Sequence, residues 1–326
     1  MKTVIITGGA GFIGSYLCEA FLNKDYKILC VDNLVTGNKK NIKTLESNSN
    51  FFFIEADVSK ISVKEKIINF VNEKQLEISH ILHFASPAGP NPNSPKSYLQ
   101  MPVETYLVNS LGTHLMLELT KKFNAKFLFA STSEVYGDPL EHPQKESYLG
   151  NVNTLGPRSC YDVSKRFGEM ATITYGKKHK LDALLIRIFN TYGPRMNVDD
   201  GRVIPLFITK ALENKTLTIY GEGNQTRSFC YISDQIDGII NLIEKAEPYS
   251  VYNIGNDSEI TINTLANTIK DLTDSSSEIE FKPLPKDDPT RRKPDISKAK
   301  KDLNWEPQIK LEDGLKKTIK FFEKHN

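Results

Sequence analysis

Gly8-Gly9-Ala10-Gly11-Phe12-Ile13-Gly14 stands between an apolar run, Thr3–Thr7, and an amphipathic stretch, Phe12–Lys24. Glycines at this spacing let the backbone turn sharply after a strand and come close to a pyrophosphate. The helix that opens there offers the anion free N–H groups and the positive end of its dipole. A glycine pattern alone reads equally as an ordinary turn. Here a strand precedes it, a helix follows it, and Asp32 closes the next apolar run, which together argue for a dinucleotide site. An acid at that point binds the adenosine ribose hydroxyls and repels a 2′-phosphate, favouring NAD over NADP. Asp57-Val58 follows the third apolar run, where an Asp either meets the adenine amino group or caps a helix, and the two readings weigh equally. Lys39, Lys40 and Asn41 can reach the adenine side, although such a run is more often a solvated face.

Working outward, the same alternation repeats. Thr3–Thr7, Lys27–Val31, Asn50–Asp57, His80–Ala85, Lys126–Ser131 and Ala183–Phe189 are continuous apolar runs rich in Val, Ile and Phe. Continuity means burial on both faces, as in a parallel sheet covered by helices. Phe12–Lys24 and Pro102–Phe123 carry helical spacing between them. The fold class is therefore α/β: a Rossmann-type doubly wound parallel sheet. After Phe189 the pattern loosens into turn residues (Gly193, Pro194, Asp199, Asp200, Gly201). Val203–Leu212 then reads as a helix, Leu217–Tyr220 as a strand, Ser233–Ala246 as a helix and Val251–Ile254 as a short strand. Glu278–Arg292, with Pro283, Pro285 and Pro289, reads as a loop or short strand. The expected organisation is a dinucleotide-binding domain over 1–189 plus about 228–256, and a smaller, discontinuous C-terminal substrate domain over 190–227 and 257–326.

Composition excludes several other classes. The chain has 326 residues, 39% hydrophobic and 25% charged, with 42 basic against 40 acidic side chains. So even a balance argues against nucleic acid or an anionic membrane as partner. No apolar run is long enough for a membrane span, and Val4–Ile6 is too short for a signal peptide. Cys18, Cys30, Cys160 and Cys230 form no C-x-x-C pair and read as reduced thiols in a cytoplasmic protein. The six histidines lack ligand spacing, so no metal site is expected. His83 and Trp305 read as packing residues, and Cys160 as a packed thiol.

Tyr161-Asp162-Val163-Ser164-Lys165 puts Tyr161 and Lys165 at i and i+4, on one helix face. A tyrosine is a poor base at neutral pH, and moving its pKa to about 7 takes roughly 4 kcal/mol. An ammonium at about 4 Å supplies a Coulomb energy on that order, and an oxidised nicotinamide adds to it. Alone, this spacing is usually a surface pair. It gains meaning from Ala130-Ser131-Thr132-Ser133-Glu134-Val135-Tyr136-Gly137 at the end of the fifth strand, where such sheets place their ligand. Thr132 and Ser133 can hydrogen-bond a hydroxyl being oxidised, and Glu134 can act as acid or base. The competing reading of this stretch is capping and turn formation.

Four segments together resemble the extended short-chain dehydrogenase/reductase family of nucleotide-sugar epimerases, dehydratases and decarboxylases: Gly8–Gly14, Ser131–Gly137, Tyr161-x-x-x-Lys165 and Arg187–Arg195. The likeness runs to Trp305-Glu306-Pro307. Within the family it is strongest to the UDP-glucuronate decarboxylases. It rests there on Ser131–Pro139, Gly156–Asp162, Asp200–Val203, Gln225–Arg227 and Arg292–Asp295.

The resemblance implies an NAD-dependent enzyme acting on a UDP-sugar, with a 4-keto intermediate and the cofactor recycled in the site. It implies Tyr161 as the base at the sugar 4-hydroxyl, Lys165 lowering its pKa and Thr132 assisting; Ser133 and Glu134 lie by C5 and the carboxylate. Arg158 and Arg292 lie at the acid end of the sugar. The NAD site takes Gly8, Gly11, Phe12, Ile13, Gly14, Asp32, Asn33, Asp57, Val58 and Ala85, with Tyr161 and Lys165. The sugar nucleotide takes Ser86, Asn190, Arg202, Tyr220 and Arg227 as well as the two arginines.

Family 4,6-dehydratases carry Asp-Glu where Ser133-Glu134 stands, and serine expels a C6 hydroxyl poorly. That favours decarboxylation over epimerase or dehydratase chemistry, and the retained Tyr161 and Lys165 disfavour a non-catalytic scaffold. Gly89–Ser97 departs from the decarboxylase pattern in length and composition. By the resemblance this loop lies over the sugar, so an N-acetylated uronic acid or a sugar with no carboxylate stays open. A homodimer through the helices of Pro102–Phe123 and Gly156–Lys178 is likewise implied.

Overall fold

Val4, Ile5 and Ile6 are all fully buried, yet they serve two different cores. Successive strand residues point to opposite faces. Val4 and Ile6 join one cluster with Ile28, Leu82, Leu128, Leu184 and Ile186. Ile5 joins the other with Leu29, Ile81, Phe127, Phe129 and Leu185. A sheet covered on both faces needs apolar residues of both parities, which is why its strands read as continuous runs.

The computed structural model describes residues 1–198, 201–283 and 291–325. Asp199, Asp200, Pro285 and Pro289 lie outside the described residues. The first half runs β1 (Lys2–Thr7), α1 (Phe12–Leu22), β2 (Lys27–Asp32), β3 (Phe51–Glu55), α2 (Ser62–Glu73), β4 (Glu77–His83), α3 (Pro102–Leu107), α4 (Thr113–Phe123), β5 (Lys126–Thr132), α5 (Ser159–His179) and β6 (Ala183–Ile188). It continues through β7 (Thr191–Tyr192), α6 (Val203–Leu212), β8 (Leu217–Tyr220), β9 (Thr226–Ser228), β10 (Cys230–Tyr231), α7 (Ile232–Lys245) and β11 (Val251–Ile254). The remainder is β12 (Glu259–Thr261), α8 (Ile262–Leu272), β13 (Ile279–Lys282), β14 (Arg291–Arg292), α9 (Ser297–Leu303) and α10 (Leu311–His325).

Seven strands form one sheet in the order β11-β6-β5-β4-β1-β2-β3. Every pairing in it is parallel. The order reverses between β1 and β4, the point where open sheets of this kind hold ligands. A smaller region carries the three-stranded sheet β12-β9-β14 and the pair β13-β8. Ser297–Trp305, assigned above to the substrate domain, returns to the large sheet. There α9 packs on β11 and α7, and Trp305 Nε1 donates to Asp234 O at 3.0 Å.

Two local expectations change. β4 starts at Glu77, well before the apolar run, because its backbone pairs with Lys2–Val4 whatever the side chains. The single helix expected over Pro102–Phe123 is interrupted by a π-helical turn, Val108–Gly112. Asn109 in that turn is buried and donates from Nδ2 to Ser164 Oγ at 3.0 Å. Residue periodicity does not register a widened turn inside an otherwise helical run. α4 and α5 both stop at a residue in the left-handed conformation, Asn124 and Lys180.

Candidate active site

A cleft of about 640 Å³ opens at the carboxyl ends of β1, β2, β4 and β5. Gly8, Gly11, Phe12, Ile13 and Gly14 form one wall. Asp32, Asn33, Asp57, Val58 and Ala85 form the adjoining one. Thr132, Ser133, Glu134, Tyr161 and Lys165 line the same space, as do Ser86, Asn190 and Arg202.

The glycine loop is as tight as its sequence requires. Gly8 has φ +72°, and a Cβ there would fall 2.7 Å from Ala85 N. A Cβ on Gly14 would fall 2.1 Å from Gly8 O, so the helix can meet the loop only with glycine there. Gly11 caps α1 without a side chain, leaving the first-turn N–H groups open to an anion. Asp32 also holds the loop itself. It accepts from Ala10 N at 3.0 Å and Leu34 N at 2.8 Å, tying the loop to β2. Burial raises its pKa, and those two N–H groups hold it back. Asp57 Oδ1 accepts from Ser59 N at 2.9 Å and Ser59 Oγ at 2.7 Å, a local turn; the residue capping α2 is Ile61, so Asp57 is not that helix's N-cap. Lys40 and Asn41 line the cleft, while Lys39 pairs with Glu46 at 3.7 Å.

The catalytic candidates meet where β5 ends. Thr132 Oγ1 caps a 3₁₀ turn, Ser133–Tyr136, by accepting from Glu134 N, and it hydrogen-bonds the Tyr161 phenol. One turn of α5 separates Tyr161 from Lys165, and both are buried. Lys165 Nζ donates to Ala130 O at 2.8 Å and sits 5.7 Å from the Tyr161 ring centroid. Burial is the largest influence and pushes Tyr161 up, Glu134's charge adds to this, and Thr132 and Arg202 act against it. Burial likewise takes Lys165 down to about 7. Tyr98, next to the Gly89–Ser97 loop, stacks on Tyr161 with centroids 4.9 Å apart. Gly89 and Lys96 line the cleft, so this loop does border the Tyr161 end.

Glu134 sits between two arginines. Its Oε1 accepts from Arg292 Nη1 at 2.7 Å and its Oε2 accepts from Arg158 Nη2. Burial alone would raise its pKa, but the two guanidinium groups bring it to about 2. Glu134 thus rests as a carboxylate at neutral pH. Arg292 lies on β14 and keeps Nε and Nη2 buried with no partner among the described residues. Asp162 is hydrogen-bonded to Glu134, and burial and Glu134's charge raise its carboxyl to about 8.

Of the other assigned residues, Ser86, Asn190 and Arg202 line the cleft, whereas Arg158, Arg292, Tyr220 and Arg227 do not. Tyr220 is half exposed at the end of β8, and Arg227 Nη1 donates to Thr226 O at 2.9 Å; neither lines the cleft. Asn190 Nδ2 donates to Ser228 O at 3.3 Å, and Ser86 Oγ donates to Pro87 O at 3.1 Å. The Arg202 guanidinium lies 5.9 Å from the Phe12 ring centroid. His83 is core: it shares a 2.7 Å hydrogen bond with Thr7 Oγ1, and burial lowers its pKa to about 3. Cys160 Sγ is half-buried against Tyr98 O at 3.5 Å. Sequence reasoning missed Tyr98 and gave Asp162 no role, although Asp162 lies inside the quoted Tyr-x-x-x-Lys motif.

The profile of the GDP-mannose 4,6 dehydratase family matches residues 5–318. The chain belongs to the extended short-chain dehydrogenase/reductase family. This family member is 46% identical over 319 residues to UDP-glucuronic acid decarboxylase 1 of Arabidopsis thaliana, covering 98% of this chain and 69% of that protein. It is 44% identical over 323 residues to UDP-glucuronic acid decarboxylase 1 of Danio rerio, covering 99% and 73%. Among solved structures, UDP-glucuronic acid 4-epimerase from Bacillus cereus, in complex with UDP-glucuronic acid and NAD, superposes with a TM-score of 0.85 at 29% identity. That match covers 99% of this family member and 100% of the epimerase. UDP-glucose 4-epimerase from Thermotoga maritima gives a TM-score of 0.87 at 29% identity, covering 99% of each.

Proposed function

We propose that this family member decarboxylates UDP-glucuronate to UDP-xylose with NAD as its cofactor. The carrying observation is Arg292, whose Nη1 holds Glu134 on the cleft wall while Nε and Nη2 stay buried and unpartnered among the described residues. A buried guanidinium edge in that state calls for a planar anion, and a uronic acid brings one. Curated relatives named UDP-glucuronic acid decarboxylases, 44–47% identical to this chain, support the same reading.

The glycine loop and open α1 terminus fit a pyrophosphate, and Asp32 fits an adenosine ribose. NAD, when bound, accepts the C4 hydride and gives it back to the same carbon. Tyr161 removes the 4-hydroxyl proton, and Thr132 holds the phenol toward that oxygen. Arg292 orients the carboxylate. With C4 a ketone, that carboxylate is β to a carbonyl, so CO₂ leaves as its electrons enter an enolate. Ser133 stands where family 4,6-dehydratases carry an Asp, and serine expels a C6 hydroxyl poorly, which disfavours dehydration. We assign 1–189 with about 228–256 to NAD and 190–227 with 257–326 to the sugar nucleotide, except that Ser297–Trp305 packs with the former.

Incubation with UDP-glucuronate and NAD, followed by proton NMR, tests the reaction. UDP-xylose with loss of C6 is the expected product; the C4 epimer with C6 retained overturns the assignment. NAD is expected to bind at least about 100-fold tighter than NADP, because two like charges at about 4 Å repel by on the order of 4 kcal/mol at intermediate dielectric. Titration calorimetry with the two dinucleotides measures that ratio, and equal affinity removes Asp32 from the ribose.

A homodimer is part of the proposal. Val103 and Tyr106 on α3 lie exposed, as do Phe167 and Met170 on the adjoining α5. Sedimentation equilibrium should give twice the chain mass, and a monomer at micromolar concentration counts against this face. Four free cysteines support a reducing, cytoplasmic setting, testable by cell fractionation. No helix among the described residues is long and apolar enough to cross a membrane.

A further inference from the structure

Decarboxylation takes up a proton: a carboxylate leaves as CO₂ and a hydrogen must arrive on C5. Glu134, the acidic side chain on the cleft wall at that end, is held as a carboxylate by Arg158 and Arg292 and has no proton to give. Behind it lies Asp162. Its carboxyl is buried, hydrogen-bonded to Glu134, and carries one oxygen, Oδ1, with no partner among the described residues. Two carboxyl groups in hydrogen-bond contact must share a proton.

We propose that Asp162 is a positioning residue that stores the proton destined for C5 and delivers it through Glu134. The proposal rests on the decarboxylase reading above. The C5–C6 bond breaks, CO₂ departs, and its electron pair enters the C4–C5 enolate. The Asp162 O–H bond then breaks, its proton passes to Glu134, and a proton passes from Glu134 to C5. Asp162 is left ionised and regains its proton from solvent after product leaves. No oxidant or reductant is consumed in these steps.

Charge follows the same cycle. Arg158 and Arg292 with ionised Glu134 and neutral Asp162 carry one net positive charge, matching the single negative charge of a uronate. Once the substrate charge has gone with the carboxylate, ionised Asp162 neutralises the cluster. The titratable and charged groups facing Asp162 are Glu134 from the 3₁₀ turn, Arg158 before α5, Arg292 from β14, and its neighbours Tyr98, Cys160 and Tyr161. Burial and Glu134 hold the Asp162 carboxyl at about 8, so the store is full at neutral pH and empties as pH rises through that value.

Asp162→Asn tests this directly, since the amide keeps the volume and a donor to Glu134 but holds no transferable proton. In single turnover, released CO₂ and UDP-xylose are timed separately. Wild type should form both together at neutral pH and show UDP-xylose lagging CO₂ as pH rises through about 8. Asp162→Asn should show the lag at every pH, with UDP-xylose formation slowed about 100-fold and KM for UDP-glucuronate unchanged. Lys165 acts before CO₂ is lost, so its own titration does not create a lag. CO₂ and UDP-xylose appearing together in Asp162→Asn at all pH values overturns the proposal, because bulk water then supplies the proton. Should the variant fail to fold, wild type without any pH-dependent lag overturns it equally. Wild type that releases no CO₂ overturns the decarboxylase reading instead.

Discussion

Tyr161→Phe is expected to lower turnover of UDP-glucuronate by about 10²–10⁴-fold while NAD binding survives. The change removes one oxygen and leaves the ring, which Tyr98 covers face to face at 4.9 Å between centroids. The Lys165 contact to Ala130 O at 2.8 Å is also untouched. What disappears is the group that receives the C4 hydroxyl proton, and without that transfer hydride abstraction leaves an unneutralised cationic carbon. Phenol geometry comes from Thr132, so Thr132→Val should reproduce part of the loss. Stopped-flow absorbance of reduced nicotinamide under single-turnover conditions measures the step. Near-wild-type formation of reduced cofactor in Tyr161→Phe would remove the proposed base.

Arg292→Lys is the second large effect. Lysine keeps the charge but loses the planar fork, and it cannot hold Glu134 through one nitrogen while presenting two more to a carboxylate. Truncating one partner of a buried, hydrogen-bonded charge pair costs about 2–5 kcal/mol, or roughly 30- to several-thousand-fold in kcat/KM. The loss should be specific. Binding of UDP, which has no carboxylate at that end, should hold within about threefold, on the order of 0.6 kcal/mol. Glu134 should also gain protons more readily, because burial raises its pKa and Arg292 is one of two groups that offset this. Isothermal titration with UDP and with UDP-glucuronate separates the outcomes. An equal loss for both ligands would place Arg292 in a structural role only.

Much of the fold is legible locally. The run Thr3–Thr7, the glycines after it and Asp32 follow one another along the chain, so their meaning depends on neighbours close in sequence. The observed β8, α6 and β11 coincide with their sequence-read bounds because each is a short element bracketed by turn residues. The π-helical turn at Val108–Gly112 was not legible in the local sequence, and the partner of its Asn109, Ser164, lies on another helix. Nor was the return of Ser297–Trp305 to the large sheet, where the tryptophan N–H finds a carbonyl some seventy positions earlier at |i−j| = 71.

The candidate site divides along the same line. Residue type and spacing alone determined a doubly wound sheet, a dinucleotide cradle at Gly8–Gly14, and Tyr161 with Lys165 on one face of a helix. Those properties are set by backbone sterics and helical period, which act over a few residues. Only the tertiary structure decided the state of the acids and bases. Glu134, Arg158, Asp162 and Arg292 come from a 3₁₀ turn, both sides of one helix start and a distant strand, with Glu134 and Arg292 at |i−j| = 158. Whether each carboxyl keeps its proton follows from burial and from charges a few ångströms away, and those distances exist only once the chain has folded.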